Sequence, residues 1–204
     1  MPTIISASYF KDKLFIPNSV VVPDIQSPSN GAPTNISKLD GFIEKYERLL
    51  LVNALGSTQY TELMSHLEDT TGKWYDLING KTYDNKVYNG LKDIIGYYVY
   101  VCFLKYDHSQ YNTTGIERSN AANSLSQTNT DRLIDFWNEF VVMYQSGYEP
   151  CGCSGSVWRF PFFWYDMYGS ESNLVSLYQF LSDNNSDYTI EWFRFYEIQN
   201  TLGV

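Results

Sequence analysis

The side chains that could carry out chemistry in this chain are few and widely spaced. There are two histidines and three cysteines, and Cys151 and Cys153 form a C-x-C pair. A zinc site needs four ligands, usually as two spaced pairs, and His66 and His108 do not supply the second pair. A cysteine nucleophile would need a histidine base, but His66 falls on an amphipathic helical pattern and His108 in a polar loop. We therefore expect reduced thiols, no metal and no cofactor.

One row of carboxylates has the spacing of a possible metal site. Asp131, Asp135 and Glu139 recur every four residues, which places them on one face of a helix. They could hold a divalent cation, and an enzyme built on this row is one alternative. A row of carboxylates on a helix is more commonly its solvated face. Because the sequence also lacks a phosphate-binding loop and a nucleophile elbow, it predicts a protein that is not an enzyme.

Charge and composition exclude further classes of protein. The 204 residues carry 14 Lys and Arg against 23 Asp and Glu, a formal charge of −9, so a direct grip on nucleic acid is disfavoured. Aromatic residues make up 17% of the chain, which excludes disorder throughout. The longest nearly apolar run, residues 94–104, is too short to span a membrane. The first residues do not resemble a signal peptide, so we expect an intracellular protein without membrane partners.

The periodicity of apolar residues predicts the fold class. We expect a mainly α protein: a helical bundle with an extended N-terminal arm and a small aromatic-rich C-terminal part that could be β. Gly56 should end the first helix, and the short connection after it should give an antiparallel hairpin. At Asn79-Gly80 we favour the end of a short helix over a β-hairpin. Apolar residues at three- and four-residue steps predict the four longer helices, over residues 37–55, from 57 or 58 to about 67, 89–106, and about 116–144 with a break near Thr128.

Three parts follow one another along the chain. Residues 1–35 are predicted to be an extended arm, because five of the seven prolines fall there and proline cannot sit inside a helix. The arm is too thin to bury its own apolar pieces, so it must lie across its own domain or across a neighbouring subunit. Residues 36–150 form the helical domain. Residues 151–204 are an aromatic-rich extension packed on that domain, with a helix over 171–183 and a strand over 187–198.

The aromatic content is the unusual feature of this sequence, which has 18 Tyr, 12 Phe and 5 Trp. Aromatic side chains give large contact areas and often anchor interfaces. The run from 158 to 165 could be core, but one strand cannot point so many rings inward. The alternative is a carbohydrate-binding module in which Trp158, Trp164 and Trp192 stack on sugar rings. For an assembly protein, the predicted interface residues are Tyr9, Phe10, Phe15, Val21, Trp158, Phe160, Phe162, Phe163, Trp164 and Tyr165.

Residues 39–145 carry a resemblance to a known family. The patterns that carry it are Tyr46…Leu49-Leu50…Ala54-Leu55-Gly56, then Trp74-x-x-Leu77-Ile78-x-Gly80, Gly90-Leu91-x-x-Ile94-Ile95-x-Tyr97-Tyr98 and Asn120-Ala121-Ala122-Asn123. They resemble the head–tail connector (adaptor) proteins of tailed bacteriophages, most of all those of Bacteroides-infecting and crAss-like phages. The resemblance covers about half the chain.

This resemblance implies a structural role in the virion. Proteins of that family form a ring, commonly twelvefold, which binds the portal protein, extends the DNA channel and receives the next tail or connector ring protein. The implied location is the neck of the virion, after synthesis in the host cytoplasm. DNA would pass through without specific binding. We therefore expect the carboxylates of Asp131, Asp135 and Glu139 to face the channel, because they would repel phosphate.

Overall fold

A computed structural model of the chain describes residues 2–16, 35–107, 110–112, 115–117, 129–145, 173–190 and 195. The described part is mainly helical, which confirms the predicted fold class. No helix among these residues is long and apolar enough to cross a bilayer. The helices are α1 (Asn35–Ser65), α2 (Lys73–Asn79), α3 (Leu91–Asp107), α4 (Asn129–Gln145) and α5 (Leu177–Asp183). The strands are β1 (Lys81–Tyr83), β2 (Lys86–Tyr88), β3 (Gln110–Asn112) and β4 (Gly115–Glu117).

Helix α3 lies at the centre of the hydrophobic core. It packs against α1, α2 and α4, and apolar residues are buried on most of its sides, as the sequence predicted for this stretch. The buried members are Leu91, Ile94, Ile95, Tyr98, Val99, Tyr100, Val101 and Phe103. Burial of this many large side chains is the main favourable contribution to folding of the domain.

Gly56 interrupts α1 where the sequence predicted a helix end. Its φ of 78° and ψ of 165° lie outside the helical region, and residues 57–65 continue as helix beyond it. A positive φ is readily adopted by glycine because it has no Cβ. Leu50, Leu55 and Leu63 are buried on both sides of this break. The break therefore lets two helical pieces contribute to one core.

Helix α2 ends at Gly80, and a hairpin follows directly. The Gly80 N–H donates to the Asp76 carbonyl at 2.9 Å, so the predicted helix end at Asn79-Gly80 is confirmed. The hairpin β1–β2 was not predicted. Its two-residue turn, Asp84-Asn85, has positive φ at both positions (44° and 61°), as type I′ turns require.

Three predictions of secondary structure were wrong. The predicted polar loop before residue 115 and the first residues of the helix predicted from about 116 form a second antiparallel hairpin, β3–β4. The rest of that predicted helix up to its expected break near Thr128 lies outside the described residues, and α4 is described from Asn129. The helix predicted from 171 begins at Leu177, because Asn173 and Val175 hydrogen-bond to the backbone of Val87 and the Ser176 hydroxyl caps the helix. Residues 187–190 form no strand.

The described C-terminal residues pack on the helices. The Gln145 side chain donates to the Phe195 carbonyl at 2.7 Å and accepts the Phe195 N–H at 2.9 Å, which satisfies both buried backbone groups. The Phe195 ring lies among aromatic rings of α3 and α4, with centroids 5.0–5.6 Å apart. The Tyr188 hydroxyl donates to the Lys73 carbonyl at 2.6 Å. These contacts hold Tyr188 and Phe195 against the helices.

We expect Gly80→Ala to destabilise the fold and Gly41→Ala to stabilise it. At Gly80 (φ 93°) a Cβ would overlap the Tyr88 carbonyl oxygen and lie 2.8 Å from the Asn89 carbonyl carbon. Backbone strain alone should lower the free energy of unfolding by about 1–3 kcal/mol. At Gly41, inside α1, no atom lies within 4 Å of the added Cβ, and helix propensity should raise it by about 0.5–1 kcal/mol. Urea unfolding followed by circular dichroism measures both, and equal effects would contradict the prediction.

Candidate functional site

Residues 2–16, the N-terminal segment, begin at a buried carboxylate. Glu47 of α1 is 2% exposed, and its Oε1 and Oε2 accept the backbone N–H groups of Ile4 at 2.8 Å and Ile5 at 3.3 Å. Burial raises the pKa of Glu47 to about 7, although the two N–H bonds act in the opposite direction. The carboxyl group therefore fixes the start of the segment on α1.

The segment then crosses to α3 and α4. The Tyr9 hydroxyl donates to the Asp93 carboxylate of α3, and burial together with this bond raises the pKa of Tyr9. The Lys13 ammonium donates to Glu139 of α4 at 2.6 Å, and Lys13 also lies 5.4 Å from the centre of the Tyr97 ring. The sequence left open whether the arm lies across its own domain or across a neighbouring subunit, and for residues 2–16 the structure shows the first. They pack on their own domain and form two 3-10 turns, Ala7–Tyr9 and Asp12–Leu14.

This packing corrects part of the predicted interface. Phe10 is fully buried (0% exposed) in its own core, so it is an internal anchor and not a surface for a partner. Tyr9 is half-buried against the same core. Phe15 is 55% exposed and stays at the surface. The other predicted interface residues lie outside the described residues: Val21, Trp158, Phe160, Phe162, Phe163, Trp164 and Tyr165.

The carboxylate row on α4 is not uniformly free. Asp135 is exposed, but Glu139 pairs with Lys13 and is partly covered by the N-terminal segment. The Lys13 ammonium neutralises the charge of the Glu139 carboxylate, so Glu139 would repel phosphate less than the sequence predicts. Asp131 lies in α4, but its side chain is outside the described set. Among the described residues, no group of three His, Cys, Asp or Glu side chains could hold a metal ion.

A groove of about 540 Å³ lies along α1 on both sides of Gly56. Its apolar lining includes Leu49, which is 43% exposed although it is a large hydrophobic residue. We call this surface the α1 groove; it is lined by Pro2, Lys45, Arg48, Leu49, Val52, Ser57, Tyr60, Thr61 and Met64. Since Pro2 belongs to the N-terminal segment, the bonds to Glu47 also position one wall of the groove.

The cations of the α1 groove differ from most others on the described surface. Arg48 is exposed and has no hydrogen bond or ion pair to any described residue, and the Lys45 ammonium lies 4.9 Å from the centre of the Tyr46 ring. Four other lysines, Lys13, Lys73, Lys81 and Lys86, pair with carboxylates of this chain at 2.6–3.3 Å. The groove therefore combines an apolar lining with the positive charge of Arg48, which no described carboxylate neutralises.

The structure describes one of the three cysteines and one of the two histidines, Cys102 and His66. Burial raises the pKa of the half-buried Cys102 thiol to about 11, so it stays protonated at neutral pH and is a poor nucleophile. His66 is partly exposed, and its Nδ1 lies 2.8 Å from the Asp69 carboxylate. In comparisons with known proteins, no family model, no curated protein and no solved structure matches this chain.

Sequence reasoning missed both Glu47 and the α1 groove. For Glu47 a signal was present, because it falls on the buried stripe formed by Ile43, Leu50 and Ala54, where a charged residue needs a partner. For the groove the signal was weaker. Leu49 follows the apolar spacing of its helix, three residues after Tyr46, and its exposure depends on how the two halves of α1 meet at Gly56.

We expect the stability of the protein to fall with rising pH because of Glu47. The folded pKa of about 7 lies above the usual 4.5, so the native state holds a proton that the unfolded state releases. The contribution is fully present below about pH 4.5 and is lost as the pH rises through 7. It corresponds to about 3 kcal/mol in the free energy of unfolding. Urea unfolding of the wild type and Glu47→Gln between pH 5 and 8 measures the difference.

Glu44→Gln is the matched control, because it removes an exposed carboxylate on the same helix. The control should keep the pH dependence of the wild type, whereas Glu47→Gln should flatten it. Parallel curves for the wild type and Glu47→Gln across this range would show that the buried carboxyl group does not titrate as described.

Proposed function

We propose that this chain is a structural protein of a tailed-phage virion, which assembles with copies of itself into a ring between the portal and the tail. One line of support is the sequence pattern that resembles connector proteins. Its apolar members, such as Leu50, Leu55, Leu77 and Ile94, are core residues of α1, α2 and α3. The pattern therefore reflects the packing of a helical domain.

The observation that carries the proposal is the exposed apolar lining of the α1 groove. Water-exposed apolar surface in a concave site is a common feature of protein interfaces. A groove on one copy that receives a different surface of the next copy is a heterologous contact, and such contacts close into a ring when the rotation between copies permits. Phe15, exposed at the end of the N-terminal segment, offers further apolar area for the same purpose.

Charge supports the passage of DNA without binding. The chain has a formal charge of −9, and four described lysines are already paired with carboxylates of the same chain. Phosphate contacts need free Lys or Arg side chains in numbers, because each contact adds to the affinity through counterion release. In the proposed ring, a channel lined by Asp135 and other carboxylates would repel the DNA backbone.

The described residues offer no specific observation for the carbohydrate-binding alternative. Trp158, Trp164 and Trp192, on which that alternative depends, all lie outside the described set. The mainly helical fold also differs from the β-sandwich that such modules usually adopt.

We expect the purified full chain to form a closed oligomer of defined mass, alone or with the portal protein encoded in the same genome. Native mass spectrometry gives the copy number, and negative-stain electron microscopy shows whether the particle is a ring. Leu49→Asp should reduce assembly at least tenfold, because it places a charge in the apolar groove. Tyr75→Asp, which alters an exposed aromatic residue on α2, is the matched control and should assemble normally. A chain that remains monomeric with and without the portal protein would refute the proposal.

A further inference from the structure

We propose that the α1 groove binds residues 20–25 of a second copy of this chain, Val-Val-Val-Pro-Asp-Ile, with the Asp24 carboxylate placed against Arg48. This inference deepens the ring-forming part of the proposed function and rests on that part. It does not depend on the portal or on DNA.

The groove sets the chemistry of its occupant. Leu49, Val52 and Met64 give it apolar walls, and Arg48 supplies a guanidinium without a carboxylate partner among the described residues. The volume of about 540 Å³ is large enough for several aliphatic side chains. A suitable occupant is therefore a short apolar peptide with one carboxylate and no positive charge.

The stretch of this chain from 17 to 34 has that composition. Val20, Val21, Val22 and Ile25 are its large apolar residues, and Asp24 is its one charged residue. Pro17 and Pro23 restrict the backbone before binding, so less conformational entropy is lost when the peptide docks. The match in both apolar character and charge identifies residues 20–25 as the part that would contact the groove.

The choice of a second copy follows from the ring. The segment starts at the groove with Pro2, passes Glu47, and reaches α4 through the ion pair of Lys13 with Glu139. Residues 17–34 then connect Ile16, which is buried in the core, to Asn35, the first residue of α1. Residues 20–25 link two copies only when they dock in the groove of a neighbouring copy, and docking in their own groove is the alternative that the variants below separate.

Charge exchange between Asp24 and Arg48 tests the contact. We expect Arg48→Glu and Asp24→Arg each to lower assembly of the full chain at least tenfold, measured as oligomer fraction by native mass spectrometry. Mixing the two variants should restore assembly, because each groove then meets a segment of opposite charge on the other variant. Lys92→Glu, which alters an exposed lysine on α3, is the matched control and should assemble as the wild type does.

The outcomes separate this inference from the proposed function. Restoration in the Arg48→Glu/Asp24→Arg double variant without restoration in the mixture would mean that the segment docks within its own chain, and would overturn the inference. If both single variants assemble as the wild type does, the inference is overturned, whereas the proposed ring is not. If the mixture restores assembly but the assembled ring does not bind the portal protein, the inference is supported and the proposed role at the portal is refuted.

A second readout does not require a closed ring. A fluorescent peptide of residues 17–28, added to the full chain, should bind the wild type and bind Arg48→Glu at least tenfold more weakly in fluorescence anisotropy. Peptide binding by a chain that stays monomeric would support the docking site and refute the ring. Equal binding to both proteins, or binding to neither, would overturn the docking site.

Discussion

The arrangement of the N-terminal segment depends on one buried carboxylate. Glu47 forms no ion pair with a described residue; its oxygens accept the backbone N–H groups of Ile4 and Ile5 instead. Each partner needs the other, because a buried N–H without an acceptor and a buried carboxylate without donors are both costly. This mutual requirement fixes one end of the segment. Phe10, Leu14 and Ile16 can then enter the core at defined positions.

The same interaction connects the interior of the domain with its candidate binding surface. Pro2 precedes the bonded residues by two positions and lines the α1 groove, so the groove has its observed shape only while the segment stays on α1. Gly56 acts from the other side, because its positive φ turns the second half of α1 away from the line of the first. Two local features, a buried carboxylate and a glycine, thus define a surface formed by residues distant in sequence.

Local patterns predicted the helices well and the short strands poorly. The periodicity of α3 and the glycines at 56 and 80 gave correct positions, since helices of this length repeat their apolar spacing several times. Strands β1 and β2 have three residues each, too few for an alternating pattern, and their turn is Asp84-Asn85 and not Asn-Gly. Phe10 was assigned to an interface because no local pattern tells which distant surface covers an apolar residue. Its position depends on Glu47, more than 30 residues away.

The distribution of charge also explains how copies of an acidic chain could associate in a defined way. Copies of charge −9 repel one another, but in physiological salt this repulsion is screened over about 8 Å. Apolar contact in the α1 groove acts only when two surfaces touch, and it is not weakened by salt. Exposed ion pairs within one chain, such as Lys13 with Glu139, contribute little to stability. They do, however, occupy cations that could otherwise attract carboxylates of another copy, and this leaves Arg48 at the groove as a place where an acidic segment gains from binding. In the proposed ring, the register between copies would therefore be set by this local site, because the net charge of the chain opposes every arrangement alike.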